Sequence, residues 1–501
     1  MLKITSLFVF LNLFFSVVYA ELKVADIFSS NMVLQSGEAL PIWGWANPGD
    51  KIKVSFKKQE VFTTTDHLGK WSLKLESEIV TSQPNSLKVS SDKTIEFTNV
   101  LVGEVWFASG QSNMDWKVKN SAKNLAKIKV IADQADYPLI RYREINTKES
   151  LIEKNEICDG LSWTVCNPIT VQNYSAVCFF TALKLHQALN VPIGIIESAW
   201  GGHPIEPFIP ESAFEKHPVL KRELELGRAK NLEGLKNMVG GVYARNESWL
   251  PGTIYNSRIA PVAPYAMRGG LWYQAESNCG KGEDPRFYEE KMKALMNGWR
   301  QAWNKPEMPI YYVQLPQYDS ANWVRMREEQ RRAMSHSDTG MSVIIDLLPD
   351  GIHPPNKIDV ANRLALWPLA KVYGKNVIYS GPLYSGIEIK GSKCIVSFNY
   401  SESGLVVGKK VDLVPTEFLL TKSISGFEVC SEKGKWYQAE SIIVNNKVEC
   451  TSQNVSKPIG VRYAWGKMMN ETTVWNLYNK AGLPASPFIS DLALAPFKMD
   501  E

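Results

Sequence analysis

Short apolar runs and longer amphipathic stretches alternate through the middle of the chain. Apolar runs of about five to seven residues, the length of parallel strands buried on both faces, occur at 104–108, 192–197, 269–273, 309–315 and 341–347. Apolar residues recur every three to five positions, as in helices with one buried face, over 176–189, 287–303 and 358–372. Strands that alternate with helices predict an α/β fold with a doubly wound, mostly parallel sheet.

The two ends of the chain have a different pattern. Residues 22–100 contain short alternating or aromatic runs separated by turn sequences, which predicts a small N-terminal β-sandwich. Beyond about residue 380 the helical patterns stop and strand-like runs return. We therefore predict a signal peptide at 1–20 and a β-sandwich domain at 21–100, followed by an α/β domain at 101–380 and a C-terminal β-rich region at 381–501. Within the α/β domain, 115–172 and 203–250 are expected to be loop insertions that shape a cleft.

The first twenty residues resemble a leader. Lys3 precedes an apolar stretch from Leu7 to Val18, and Ala20 is a small residue suited to the end of a cleaved signal peptide. No later apolar stretch is long enough to span a bilayer, so we expect no membrane span in the mature chain. The protein is expected to be exported to the periplasm or the extracellular space.

Composition narrows the class of protein further. The 501 residues are 45% hydrophobic and 22% charged with a net charge of +4, and no run of five like charges occurs, so no nucleic-acid partner is expected. Seven cysteines in an exported chain permit the bridges Cys158–Cys166 and Cys430–Cys450, although buried free thiols are the alternative, favoured for Cys178. No Cys-x-x-Cys or His-Glu-x-x-His motif occurs, so neither a metal nor another cofactor is expected.

Four polar clusters each follow a separate predicted strand. They are Gly110-Gln111-Ser112-Asn113, Ser198-Ala199-Trp200-Gly201-Gly202-His203, Gln274-Ala275-Glu276-Ser277-Asn278 and Asp350-Gly351-Ile352-His353. Because the carboxyl ends of parallel strands face one crevice, we expect the four clusters to converge. Alone, each has an ordinary alternative, such as a capping serine, a glycine turn or a helix-entry loop. Together they predict a hydrolase site.

The residue types assign roles within that site. Ser112 is the candidate nucleophile, His353 the general base and Asp350 the carboxylate that orients the imidazole. The backbone N–H groups of Ser112 and of Gly201 or Gly202 are expected to bind the oxyanion, together with the side-chain amide of Asn278.

The remaining polar side chains of these clusters receive supporting roles. Gln111, Gln274 and Glu276 are expected to hold the loops or to contact substrate rather than to react. His203 has no nearby aspartate in the sequence and is assigned to substrate contact rather than to base catalysis.

The order of Ser, Gly, Asn and Asp-x-x-His resembles the SGNH hydrolases. Blocks throughout the chain further resemble the sialate O-acetylesterase family, among them Asn31-Met32-Val33-Leu34-Gln35, Trp43-Gly44-Trp45-Ala46, Trp272–Asn278 and Gly482–Phe488. The resemblance implies a three-layer, flavodoxin-like sheet and a serine esterase that removes acetyl groups from sugars, O-acetylated sialic acid above all. Ala275 departs from the family pattern, where Gly is usual, and His203 stands where Thr is common.

The sequence leaves two alternative functions open. The same chemistry would serve an acetylxylan esterase or another polysaccharide deacetylase. A non-catalytic glycan-binding protein is the alternative from another class, because the ends are rich in β-structure and the chain has 16 tryptophans. The sequence does not indicate an oligomeric state.

Overall fold

A computed structural model describes residues 21–239, 249–280, 282–348, 351–466, 468 and 475–497. The predicted signal peptide and Asp350 lie outside the described residues. Among the described residues, no helix is long and apolar enough to cross a membrane.

The core of the molecule is a run of parallel strands in one large mixed sheet. The strands are β8 (Thr94–Gly110), β9 (Tyr137–Glu144), β11 (Ile193–Ala199), β12 (Gly269–Tyr273), β13 (Ile310–Val313) and β14 (Thr339–Ser342). Their spatial order is β9-β11-β8-β12-β13-β14, and β10 (Thr164–Cys166) pairs antiparallel with β9 at one side. β8 therefore lies between β11 and β12, and the carboxyl ends of these three strands share one edge of the sheet.

Helices cover both faces of this sheet. Trp106 and Phe107 are consecutive in β8, so their side chains point to opposite faces. Phe107 packs against Trp299, with ring centroids 5.2 Å apart, whereas the Trp106 indole donates a hydrogen bond of 3.0 Å to the hydroxyl of Tyr373. The helices are α1 (Ser112–Asp115), α2 (Val118–Asn124), α3 (Ala126–Asp133), α4 (Ala176–Leu189), α5 (Glu211–Phe214), α6 (Pro218–Arg228), α7 (Leu232–Val239), α8 (Tyr288–Ala302), α9 (Ala321–Ala333) and α10 (Lys357–Lys371).

The N-terminal region is joined to the core sheet by a shared strand. Its other strands are β1 (Lys23–Val24), β2 (Val33–Gln35), β3 (Leu40–Trp45), β4 (Lys51–Phe56), β5 (Gln59–Thr64), β6 (Lys70–Leu75) and β7 (Thr81–Ser90). β1, β3 and β6 form a separate sheet, whereas β2 and β7 pair with the first half of β8. β8 is continuous across the predicted boundary at residues 100 and 101, and the division into domains stays a prediction.

The described residues of the C-terminal region form three antiparallel sheets. Its strands are β15 (Leu383–Lys390), β16 (Lys393–Asn399), β17 (Leu405–Lys409), β18 (Glu417–Leu419), β19 (Ser423–Ile424), β20 (Phe427–Ser431), β21 (Trp436–Gln438), β22 (Glu440–Val444), β23 (Lys447–Thr451), β24 (Pro458–Tyr463), β25 (Leu477–Asn479) and β26 (Phe488–Ile489). Tyr478 donates a hydrogen bond of 3.2 Å to Asp346, and Gln314 donates one of 3.0 Å to Ser486. These buried contacts attach the region to the carboxyl side of the core sheet.

The α/β class, with a large mixed sheet and additional antiparallel sheets, is confirmed, and its doubly wound, flavodoxin-like form stays a prediction. The expectation that 115–172 and 203–250 are loops is wrong in part. The first segment contains α2, α3 and strand β9, and the second contains α6 and α7. Arg141 and Arg143 interrupt the apolar pattern of β9, yet both are buried, and Arg143 forms an ion pair with Asp159 at 2.8 Å.

Neither possible disulfide is formed. All seven cysteines are free thiols, of which Cys158 is exposed and the others are buried. Cys450 of β23 lies opposite Cys394 of β16 in the antiparallel register, and not beside Cys430. Cys178 is fully buried in α4, in agreement with its assignment as a small apolar core residue.

Candidate active site

The site begins where β8 ends and α1 begins. Gly110 has φ +144°, and a Cβ atom there would lie 2.0 Å from the carbonyl oxygen of Tyr273. Only glycine fits such a close approach between β8 and β12. The next residue, Gln111, donates its backbone N–H to the same carbonyl at 3.1 Å. The chain then turns into α1, so that Ser112 is half-buried at the edge of the sheet.

Ser112 and His353 are in direct contact. The Nε2 atom of His353 lies 2.9 Å from the Oγ atom of Ser112, across 241 positions of sequence. The indole of Trp116 stacks on the His353 ring, with centroids 4.4 Å apart and planes 25° from parallel. A serine hydroxyl at this distance from an imidazole nitrogen has the geometry that proton transfer requires.

The glycine pair after β11 lies beside the serine. A Cβ atom on Gly201 would be 3.5 Å from the Cβ of Ser112, so the backbone of this loop lies close to the serine. Gly202 is exposed with φ +76°, a conformation that favours glycine. Trp200 donates its backbone N–H to Gly110 at 2.9 Å, which ties the loop to the end of β8. The structure thus brings the second cluster to the first.

Asn278 is buried in a short 3-10 turn, Glu276–Asn278, after β12. Its Oδ1 atom accepts hydrogen bonds from the backbone N–H of Ile205 at 2.9 Å and from Gln274 at 2.8 Å, which fixes the orientation of the amide. Its Nδ2 atom lies 3.0 Å from both carboxylate oxygens of Glu206. Glu206 in turn forms a buried ion pair with Lys291.

Gln111, Gln274 and Glu276 form a buried layer beneath the serine. Gln274 donates to the side-chain oxygen of Gln111 at 3.0 Å and accepts from the hydroxyl of Tyr288 at 2.7 Å. Glu276 accepts a hydrogen bond of 2.5 Å from Asn113, and burial raises the pKa of its carboxyl. These hydrogen bonds hold the loops together.

Lys357, the first residue of α10, is part of the same buried layer. Its place near the serine was not predicted from the sequence. Its side-chain nitrogen is buried, donates to the side-chain oxygen of Asn113 and lies 5.5 Å from the ring centroid of Tyr273. Burial lowers the pKa of Lys357 to about 7, although Glu276 opposes that shift. Asn113 also donates to the carbonyl of Ile352 at 2.9 Å, directly before His353. No local pattern singles out a lysine at the start of a helix.

His203 lies next to the glycine loop that follows β11. It is buried, with its ring centroid 4.6 Å from that of Trp200 and 5.7 Å from that of Trp249. Its Nδ1 atom is 3.0 Å from the carbonyl oxygen of Gly201. Burial lowers the pKa of His203 below its ordinary value. The ring contacts the glycine loop, in a place compatible with the substrate role that was predicted for it.

A cluster of carboxylates beside the site already has a cation. Asp115, Glu144 and Glu197 lie within 4.8 Å of one another, a spacing that would suit a metal ion. The ammonium of Lys117 lies among them, 2.8 Å from Asp115, 3.1 Å from Glu144 and 3.9 Å from Glu197. Burial raises the pKa of Glu197 to about 7, and Lys117 counteracts this shift. Lys117 therefore supplies the positive charge that a metal would bring.

Known proteins share this architecture. The family model described as carbohydrate esterase, sialic acid-specific acetylesterase, matches residues 102–361. The sialate O-acetylesterase of Mus musculus is 26% identical over 94% of this chain and 94% of its own length, and that of Homo sapiens is 27% identical over 93% and 92%. The crystal structure of a carbohydrate acetylesterase from Xanthomonas citri superposes with a TM-score of 0.81 at 28% identity, covering 94% of this chain and 100% of that one.

Proposed function

Because the chain belongs to the sialic acid-specific acetylesterase family of carbohydrate esterases, and is thus a carboxylic ester hydrolase, we propose that it removes acetyl groups from O-acetylated sialic acid by covalent catalysis at Ser112. The observation that carries the mechanism is the contact of 2.9 Å between Ser112 and His353. Two residues so distant in sequence meet with the geometry of a nucleophile and its base.

The proposed reaction has two steps. The hydroxyl oxygen of Ser112 attacks the acetyl carbonyl while Nε2 of His353 accepts its proton, and the same proton then passes to the departing sugar hydroxyl. Water, deprotonated by His353, attacks the acetyl-enzyme and releases acetate. We assign Asp350 the role of orienting His353, on the basis of the Asp-x-x-His sequence alone.

The oxyanion of each step needs hydrogen-bond donors. We assign this role to the backbone N–H groups of Ser112 and of Gly202 or Gly201, and the closeness of Gly201 to Ser112 supports it. The third donor is the amide of Asn278, whose nitrogen has two hydrogens, one for Glu206 and one for the oxyanion. Each such donor typically lowers the barrier by about 3 kcal/mol.

The experiment compares acetate release from 9-O-acetyl sialic acid and from acetylated xylan. We expect the wild-type protein to favour the sialic acid and Ser112→Ala to lose the activity by about 10⁴-fold or more. Ser277→Ala, which changes a serine of the same region to which we give no role, is the matched control. Undiminished turnover by Ser112→Ala would refute the mechanism, and a preference for xylan would replace the substrate. Sugar binding without any turnover would favour the glycan-binding alternative.

We also propose that the protein is exported. The support is the pattern of the first twenty residues, with Lys3, the apolar stretch and Ala20. Intact-mass measurement of the protein recovered outside the cytoplasm should then give a chain that begins at Glu21. A mature protein that retains Lys3 would contradict this proposal.

A further inference from the structure

The hydrogen-bonding state of His203 is fixed by one contact. Its Nδ1 atom lies 3.0 Å from the carbonyl oxygen of Gly201. A carbonyl oxygen only accepts hydrogen bonds, so Nδ1 must carry the hydrogen. In the neutral ring, which burial favours, the other nitrogen, Nε2, therefore presents a lone pair. His203 is an acceptor at Nε2.

This acceptor is buried and unused. The Nε2 atom of His203 is inaccessible to solvent and has no hydrogen-bond partner among the described residues. His203 as a whole residue is only 6% exposed. Buried polar atoms in folded proteins are almost always paired, because an unpaired one loses its hydration without compensation. A donor group of a bound substrate would complete this pairing.

The surroundings of His203 suit a sugar. The rings of Trp200 and Trp249 flank it at centroid distances of 4.6 and 5.7 Å, and aromatic faces of this kind pack against the apolar faces of pyranose rings. The indole nitrogen of Trp249 is a second buried polar atom without a partner among the described residues, and it is a donor. A hydroxyl group both donates and accepts, and so matches an acceptor and a donor placed together.

The position relative to the nucleophile identifies the part of the substrate that reaches this corner. Gly201, whose carbonyl accepts the hydrogen bond from His203, lies close enough to Ser112 that a Cβ on it would be 3.5 Å from the Cβ of the serine. An acetyl group has a methyl and a carbonyl and no hydrogen to donate, so it cannot satisfy Nε2. The sugar that carries the ester can.

We propose that Nε2 of His203 accepts a hydrogen bond from a hydroxyl of the sugar that carries the acetyl ester, which makes His203 a residue that determines substrate specificity. The inference rests on the proposed function and adds to it a specific contact on the leaving group. It assigns His203 no part in proton transfer to or from Ser112.

The test compares two substrates and two variants. His203→Phe keeps a flat ring between the tryptophans but removes the acceptor, and His203→Gln keeps an acceptor oxygen at a similar reach. Each variant is assayed on 9-O-acetyl sialic acid and on 4-nitrophenyl acetate, whose leaving group has no hydroxyl to donate. We expect His203→Phe to lower kcat/KM for the sugar ester by about 10- to 100-fold, mainly through KM. His203→Phe also removes the hydrogen bond from Nδ1 to Gly201, and 4-nitrophenyl acetate reports that effect alone. We expect kcat/KM for 4-nitrophenyl acetate to fall at least about tenfold less than kcat/KM for the sugar ester, and His203→Gln to restore most of this difference.

The outcomes separate this inference from the proposed function. An equal loss on both substrates would mean that His203 supports the glycine loop, and would overturn the inference. An unchanged rate on the sugar ester would overturn it as well, because the acceptor would then bind only water. A selective loss that His203→Gln does not restore would assign the effect to ring packing instead. If the wild-type protein releases acetate from 4-nitrophenyl acetate but from no sugar ester, the proposed function fails and not only this contact.

Discussion

Substitution of Asn278 tests whether a side-chain amide contributes to oxyanion binding. Its oxygen is held by Ile205 and Gln274, so its nitrogen cannot rotate away from the site. We expect Asn278→Ala to lower kcat for the sugar ester by about 100- to 1000-fold with a smaller change in KM, because the donor acts mainly on the developing negative charge. Steady-state kinetics measures the effect, and thermal unfolding verifies that the variant, which leaves Glu206 with one partner fewer, remains folded. A kcat like that of wild type would remove Asn278 from the oxyanion site.

Ala275 carries backbone strain that a glycine would relieve. Its φ is +152°, a region in which a side chain is costly by about 1–3 kcal/mol. Against this gain stand the loss of a buried methyl group, about 0.8 kcal/mol, and the greater flexibility of glycine in the unfolded chain, about 0.5–1 kcal/mol. With strain at the upper end of its range, we expect Ala275→Gly to raise the free energy of unfolding by about 1 kcal/mol.

Chemical denaturation of the Ala275 variant measures this difference. The matched control is Ala263→Gly, at a buried alanine with an ordinary φ of −52°. That substitution relieves no strain and should destabilise the protein by about 1 kcal/mol or more. If both variants are destabilised alike, the backbone at Ala275 is not strained.

At the scale of elements, apolar spacing predicted the parts of the fold that are buried by hydrophobic contact alone. The helices α4, α8 and α10 and the strands β11 and β12 lie within one or two residues of their predicted bounds. Of these elements, β11 and β12 bring the glycine pair and Asn278 to the edge at which β8 leads into Ser112, because a parallel sheet aligns the ends of its strands. The prediction that these clusters converge depended on this alignment and on no detail of side-chain packing.

Elements that are stabilised by polar pairing could not be predicted in this way. β9 has two arginines that become buried only because distant partners, such as Asp159, satisfy them. α9 contains the sequence Arg-Glu-Glu-Gln-Arg-Arg at 327–332. Its buried glutamates pair with arginines of the same helix, whereas the fully buried Arg327 donates to the distant carbonyl of Gly466. The buried side chain of Lys357 likewise depends on a distant partner, since it donates a hydrogen bond to Asn113, 244 positions away. Contacts between residues so far apart leave no local trace in the sequence.

The start of α10 should make stability depend on pH. Burial lowers the pKa of Lys357 to about 7 in the folded protein, whereas a lysine in the unfolded chain titrates near 10.4. Between these values the unfolded state binds more protons than the folded state, so the free energy of unfolding rises with pH from about 7 to about 10. The contribution of Lys357 to stability is therefore lowest below pH 7. We expect Lys357→Met to remove this contribution, so that its unfolding curve is flatter over that range.

Urea denaturation at several pH values measures the slope for Lys357→Met and for wild type. Lys375→Met, at an exposed lysine shortly after the same helix, is the control and should keep the wild-type slope. Identical slopes in all three proteins would show that Lys357 is not a neutral amine near pH 8. If kcat falls in Lys357→Met without loss of stability, the role of Lys357 is instead to position the serine through its hydrogen bond to Asn113.

At the scale of the whole molecule, the N-terminal region is part of the structure that holds the site. β2 pairs with β8 directly before the strand enters the core, and Tyr265 donates a hydrogen bond of 2.7 Å to the carbonyl of Val33. The buried carboxylate of Glu104 accepts from Ser36 at 2.7 Å as well as from Arg268 at 2.7 Å. These contacts pass directly between the N-terminal strands and the strand that carries Ser112.

A chain that begins at residue 101 should therefore not fold independently. It would cut the 17-residue strand β8 in its middle and expose Leu101 and Val102, which are almost fully buried. It would also remove two hydrogen-bond partners of Glu104, Gln35 and Ser36. We expect fragment 101–501 to show no cooperative thermal unfolding by circular dichroism and no acetate release, whereas 21–501 shows both. The structural reason is that the serine lies at the end of a strand whose other half is anchored in the N-terminal sheets. A fragment that melts cooperatively and hydrolyses 4-nitrophenyl acetate would instead establish residues 101–380 and the C-terminal region as a self-sufficient unit.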